Sequence, residues 1–151
     1  MNLLAHRKRY RPATGSGGAT CTERTSADFL IDGQSLLEML VKRAGGHADF
    51  MGCFVSGYAK EREHMSSMLL DVLPGSGKRV LLYICPECGD VACGAYSVLV
   101  RRERESYVWE SFAYQTSESD LKTLEAFGPF VFDARMYRGS VLAASAIDGT
   151  E

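Results

Sequence analysis

The sequence predicts an α+β fold, an antiparallel sheet built around a central hairpin or meander and packed by one N-terminal and one C-terminal helix. Leu36, Leu37, Leu40, Val41 and Ala44 recur at helical spacing on the N-terminal side. Residues 79–84, 95–100 and 107–114 are strand-like runs that follow one another closely, which implies antiparallel pairing. Met136, Tyr137, Val141, Ala144 and Ile147 form a second apolar stripe near the C-terminus. Helix, meander, helix is not a βαβ winding order.

Each element has a local reason. Phe29-Leu30-Ile31 is a short strand candidate broken by Asp32-Gly33. Ser35-Leu36-Leu37-Glu38 has the S-x-x-E form of a capping box, and Gly45-Gly46 supplies the helix stop. Phe50 to Val55 suggests a strand, Lys60 to His64 a solvated connection, and Met65 to Leu73 a weakly helical or extended segment ended by Pro74-Gly75-Ser76-Gly77. Residues 79–84 are apolar on both faces, as in an interior strand. Arg101 to Ser106 is a charged hairpin connection, and Ser117 to Asp120 a polar loop or helix start before Leu121 to Phe127. Gly128-Pro129 makes a turn into Phe130-Val131-Phe132, and Asp133 is placed to cap the last helix.

The expected organisation is a flexible basic tail over residues 1–26 and a single domain over 27–151. Residues 11–20 are rich in Gly, Ser and Thr and lack apolar periodicity, so burial cannot offset their ordering entropy. The tail carries five basic residues and one acid, whereas the body carries 12 basic and 18 acidic residues. An acidic body argues against nucleic-acid binding and fits a basic protein partner. No run approaches the roughly 20 apolar residues that a membrane span needs. The leading residues place charge after the apolar stretch, the reverse of a secretory signal, so a cytoplasmic location is expected. There the five cysteines are expected as thiols, metal ligands or redox groups.

The sharpest chemical signal is Cys85-Pro86-Glu87-Cys88-Gly89-Asp90-Val91-Ala92-Cys93-Gly94, set between two strands. C-P-x-C-G has the form of a zinc knuckle, in which a turn aims two thiolates at one ion. Cys85, Cys88 and Cys93 would be three zinc ligands, with Cys53, His47, His64 or Asp90 as the fourth. A thioredoxin-like redox pair is the second reading, but such a site opens a helix, and a strand follows here. Buried thiols filling a tight hairpin corner is the third reading and the favoured one. Pro74-Gly75-Ser76-Gly77-Lys78 is not a phosphate loop, because Val72 stands where the first glycine is needed and Arg79 where the hydroxyl residue is needed. The three histidines form no catalytic motif, and no catalytic residue is assigned. Glu110, Glu118, Asp120 and Glu125 are candidate contacts for a basic partner.

The C-P-E-C-G-D-x-x-C-G run, Val108-Trp109-Glu110-Ser111-Phe112 and Gly128-Pro129-Phe130-Val131-Phe132-Asp133 together resemble a family of small uncharacterised bacterial proteins. These share that core, a V-W-x-x-F strand and a closing G-P-F-x-F-D before a helix, and the likeness runs from about Phe29 to the C-terminal end. Some members carry an oxidoreductase label, which no residue set in this chain justifies. At the level of class alone, a small acidic α+β domain without a catalytic set is similar to bacterial immunity proteins, which bind and block a toxin. The expected function is therefore a non-catalytic protein-binding domain, an immunity-type inhibitor of a basic toxin or effector domain. The alternative is a zinc- or thiol-based protein using Cys85, Cys88 and Cys93, of which an oxidoreductase is the catalytic version.

Overall fold

A computed structural model describes residues 1–11, 24–44, 51–52, 54–55, 59–84, 94–117 and 119–146. The elements run β1 (Leu4–Arg11), β2 (Arg24–Ile31), β3 (Gln34–Ser35), α1 (Leu36–Ala44), β4 (Met51–Gly52), α2 (Ala59–Leu70), β5 (Gly77–Ile84), β6 (Ala95–Arg102), β7 (Ser106–Gln115), β8 (Leu121–Thr123), β9 (Phe130–Asp133) and α3 (Ala134–Ser145). The α+β class holds, with every named strand pair antiparallel.

One sheet has the order β1-β2-β3, and a second has the order β4-β5-β6-β7-β8 with β9 also on β7. β8 pairs residues 113–115 of β7 and β9 pairs residues 106–109, so the two short strands share β7 along its length. The segment around β4 ties the sheets together. β4 pairs β5, while the Gly52 amide donates to Ser26 Oγ at 3.2 Å and the Ala27 amide donates to the Phe54 carbonyl at 2.9 Å. An isolated bridge joins Ser26 to Val55.

The meander explains the spacing of Val108-Trp109-Glu110-Ser111-Phe112. Residues three apart in a regular strand point to opposite faces. Here the register slips between Ser97 and Leu99, and Ser111 takes a positive φ of 52°. This bulge returns Phe112 to the face that carries Trp109, and both are fully buried. Trp109 stands at right angles to Phe29 and edge-on to Phe132, and Tyr137 of α3 stacks on Tyr107 with ring centres 4.1 Å apart. The polar tips of these rings are used. Trp109 Nε1 donates to Tyr137 Oη at 3.0 Å, which donates to the Leu69 carbonyl at 2.9 Å. Tyr107 Oη donates to the Leu70 carbonyl at 2.8 Å. Two tyrosines thus satisfy carbonyls at the C-terminal end of α2, which lack partners within the helix.

Both helix starts follow the sequence reading. Ser35 Oγ accepts from the Glu38 amide at 3.1 Å, and the Asp133 carboxylate accepts from the Met136 amide at 3.0 Å. Tyr137, Val141 and Ala144 form the buried stripe of α3, while Ile147 lies outside the described residues, as do Gly45 and Gly46.

Two expectations are corrected. The residues read as a flexible tail over 1–26 contain β1, which pairs β2 in eight consecutive positions from Leu4–Ile31 to Arg11–Arg24. β1 buries one apolar side chain, Leu4, and is otherwise held by polar bonds. Asn2 donates its amide to the Val131 carbonyl and takes the Val131 amide on Oδ1, and Ser140 Oγ donates to the Leu4 carbonyl. Lys60 to His64 form the opening of α2 and not a connection. Lys60, Glu63 and His64 are exposed and Arg62 donates to the Val55 carbonyl at 3.0 Å, while Met65, Met68 and Leu69 pack inward at i, i+3 and i+4. Of the two alternatives ahead of Leu121, a polar loop or a helix start, the loop agrees with the structure, in which the strand β8 follows.

Candidate functional site

The most built polar arrangement gathers around Asp28, on β2, whose side chain is wholly buried. An isolated carboxylate in such a place is costly, so its oxygens need donors. Tyr83 Oη of β5 donates to Oδ1 at 2.6 Å, and Ser35 Oγ donates to Oδ2 at 2.6 Å. The Leu37 amide, in the first turn of α1, reaches Oδ1 at 3.4 Å, and Arg7 Nε of β1 donates to Oδ2 at 3.2 Å. Tyr83 Oη also accepts from the Phe29 amide at 3.1 Å. One carboxylate therefore ties together β1, β2, β3, α1 and β5.

Above it lies an open cleft of about 450 Å³ lined in part by Arg7, Leu30, Ser35, Glu38, Met39 and Lys42. Asp28 anchors the Arg7 guanidinium at the cleft, and Arg7 Nη2 also meets Glu38 Oε1 at 3.5 Å. Lys42 stands one turn beyond Glu38 on α1, so the rim alternates in charge over the apolar Leu30 and Met39. This surface suits contact with polar side chains. The buried carboxylate, with all its donors protein-borne, orients groups and holds elements together. Nearby, Asp32 sits below the ordinary carboxylate range because Asn2 Nδ2 and the Leu3 amide donate to it. His6, opposite Phe29 on β1, is lowered by burial.

The candidate partner-binding acids occupy different settings. Glu110, on β7, is ion-paired with Arg101, which also holds Glu103 at 2.7 Å. Asp120 closes a tight turn, with Thr116 Oγ1 donating to its carboxylate at 2.9 Å and its own amide donating to Ser117 Oγ at 2.9 Å. Glu125 is exposed beyond the other end of β8, where Arg43 of α1 donates to its carbonyl at 3.2 Å and lies over the Phe127 ring. Asp120 and Glu125 thus flank β8, the edge of the longer sheet, whereas Glu110 lies within β7. Glu118 lies outside the described residues.

Cys85, Cys88 and Cys93 also lie outside the described residues, together with the candidate fourth ligands His47, Cys53 and Asp90. His64 is exposed on α2. Among the described residues, no three His, Cys, Asp or Glu side chains gather as a metal group. No helix among them is long and apolar enough to cross a membrane.

Sequence reading passed over Asp28 and Arg7. The available signal was a lone acid between apolar residues in a strand, Ala27-Asp28-Phe29, which demands a buried donor set once the strand is placed in a core. Comparison with protein-family models, curated proteins and solved structures found no match to this chain.

Proposed function

We propose that the chain is a non-catalytic protein-binding domain, an immunity-type inhibitor that covers a basic toxin or effector domain. The observation that carries this reading is the edge strand β8, flanked by exposed Asp120 and Glu125 on a chain of net charge −2. The exposed Asp120 and Glu125 carboxylates, at either end of a strand that also shows Lys122, offer a basic surface charged contacts that favour its encounter. The Asp28 network supports the same reading, because its hydrogen bonds cross-brace five elements and give a surface that binds with little ordering cost.

The test is affinity capture of the tagged protein from its source cells, followed by binding of the recovered partner to an Asp120→Lys, Glu125→Lys double variant. A single stoichiometric basic partner is expected, with association slowed about tenfold or more by the charge reversal and by added salt. Its toxic activity should fall on addition of the wild-type chain. No stoichiometric partner, or a partner bound equally well by the reversed variant, would overturn the reading. One zinc per chain with activity lost on Cys85→Ser would transfer the function to the Cys85 to Cys93 segment.

A further inference from the structure

The longer sheet has a second face, turned away from Trp109 and Phe112. Register places Arg79 beside Leu99 and Leu99 beside Glu110 on that face, with Ser97 opposite Leu81. Arg79 is half-buried there, in the middle of β5, while Ser97 is fully buried and Gln115 is 5% exposed. Arg79 Nη1 donates to Ser97 Oγ at 2.9 Å. Its Nη2 donates to both the carbonyl and the Oγ of Ser111, at 2.9 and 3.0 Å. Ser97 Oγ in turn donates to Gln115 Oε1, and Gln115 Nε2 donates to the Ser117 carbonyl.

This arrangement leaves a guanidinium surrounded by neutral oxygens. Among the described residues no carboxylate lies within ion-pair distance of Arg79, and Glu110 on the same face is committed to Arg101. Burial without a compensating anion disfavours the charged form, and Arg79 is correspondingly lowered from its ordinary value. A half-buried arginine is commonly offset by an anion. Arg79 Nε–H, the second Nη1 hydrogen and the Ser111 hydroxyl hydrogen meet no acceptor among the described residues. Ser111 itself is held at φ 52°, a left-handed conformation that costs a non-glycine residue about 1 kcal/mol and gathers at binding sites. Its bulge is what turns the carbonyl and hydroxyl of one residue onto the same guanidinium.

We propose that Arg79 and Ser111 form a binding site for a small oxyanion, a phosphate or carboxylate group, on the sheet face opposite the core. The anion would sit against Arg79 and supply the missing counter-charge, with Ser111 Oγ–H as a second donor. Ser97 and Gln115 act as positioning residues that fix the guanidinium from behind. The site is independent of the proposed contacts at Asp120 and Glu125.

Calorimetric titration of the full chain with inorganic phosphate and, separately, with succinate tests the proposal and distinguishes the two sources of the oxyanion. Saturable binding of at least one is expected, weakened about tenfold or more in Arg79→Gln and less in Ser111→Gly. The glycine variant also relieves the positive φ, so it keeps the fold and separates loss of the hydroxyl from unfolding. The Asp120→Lys, Glu125→Lys variant should bind the anion as the wild type does. Absence of saturable binding for both anions, or equal binding by wild type and a folded Arg79→Gln, would overturn the assignment.

Discussion

Asp28 concentrates several dependencies in one side chain, because its two oxygens answer donors from four other elements. Replacing it with alanine leaves Tyr83 Oη and Arg7 Nε without their acceptor and empties the space between them. Loss of one partner from such a buried set costs about 3 kcal/mol, since the desolvation of the remaining groups is no longer offset. Asp28→Asn should cost less. Its carbonyl can still take the Tyr83 hydroxyl, and the Ser35 hydroxyl can rotate to accept from the amide, but Arg7 then faces a donor. Urea unfolding should show the midpoint falling in the order wild type, asparagine, alanine, with an unchanged slope. Equal midpoints for all three would mean that the carboxylate is solvated and not the tie between elements. Arg79 is the contrasting case at this scale: a half-buried charge whose described partners are neutral.

The β4 segment decides whether two sheets act as one. A Cβ built at Gly52 would lie 1.9 Å from the Ala27 carbonyl oxygen, which belongs to the backbone of β2 and cannot swing aside. Gly52→Ala should therefore force the sheets apart and cost about 3 kcal/mol or more. Gly139 in α3 is the internal control, because nothing lies within 4 Å of its Cβ position. There alanine should stabilise by about 0.5–1 kcal/mol through helix propensity. Thermal unfolding of the two variants should move in opposite directions, and a Gly52→Ala midpoint at the wild-type value would sink the close-approach argument. Elements marked by a period or a cap were legible in the sequence: Ser35 before α1, Asp133 before α3, and the runs of β5, β6 and β7. β1 was not, since its residues His6 to Arg11 are polar and its position depends on pairing with a distant strand and on the Arg7–Asp28 contact. The same limit hid the candidate sites. Ser97 and Ser111 lie 18 and 32 residues beyond Arg79 along the chain, and the β5–β6 register together with the bulge at Ser111 brings the three together.

For the molecule as a whole, the N-terminal strand is the place where a tail and an integrated element make different demands. A tail can be removed without consequence, because it buries nothing and satisfies no buried group. β1 does both. Deleting residues 1–11 would strip Leu4 from the core, take Arg7 from the buried Asp28, release Val131 from Asn2 and expose the backbone edge of β2 along eight positions. The Arg7 contribution is moderated by solvent, since its side chain is 44% exposed, so most of the loss should come from the edge and from Leu4. A fall of about 3 kcal/mol in unfolding free energy is expected, a large share of what keeps a domain of this size folded. The bared β2 edge should also self-associate, because an uncovered strand is a template for another. Arg7→Met in the full chain separates the two causes: it should lower stability modestly and leave the protein monomeric. Urea titration with sedimentation of the deletion, the point variant and the wild type reads both quantities at once. A deletion variant that stays monomeric at the wild-type midpoint would return residues 1–11 to the status of an appendage, and with it remove β1 from the brace that holds Asp28 and the cleft above it.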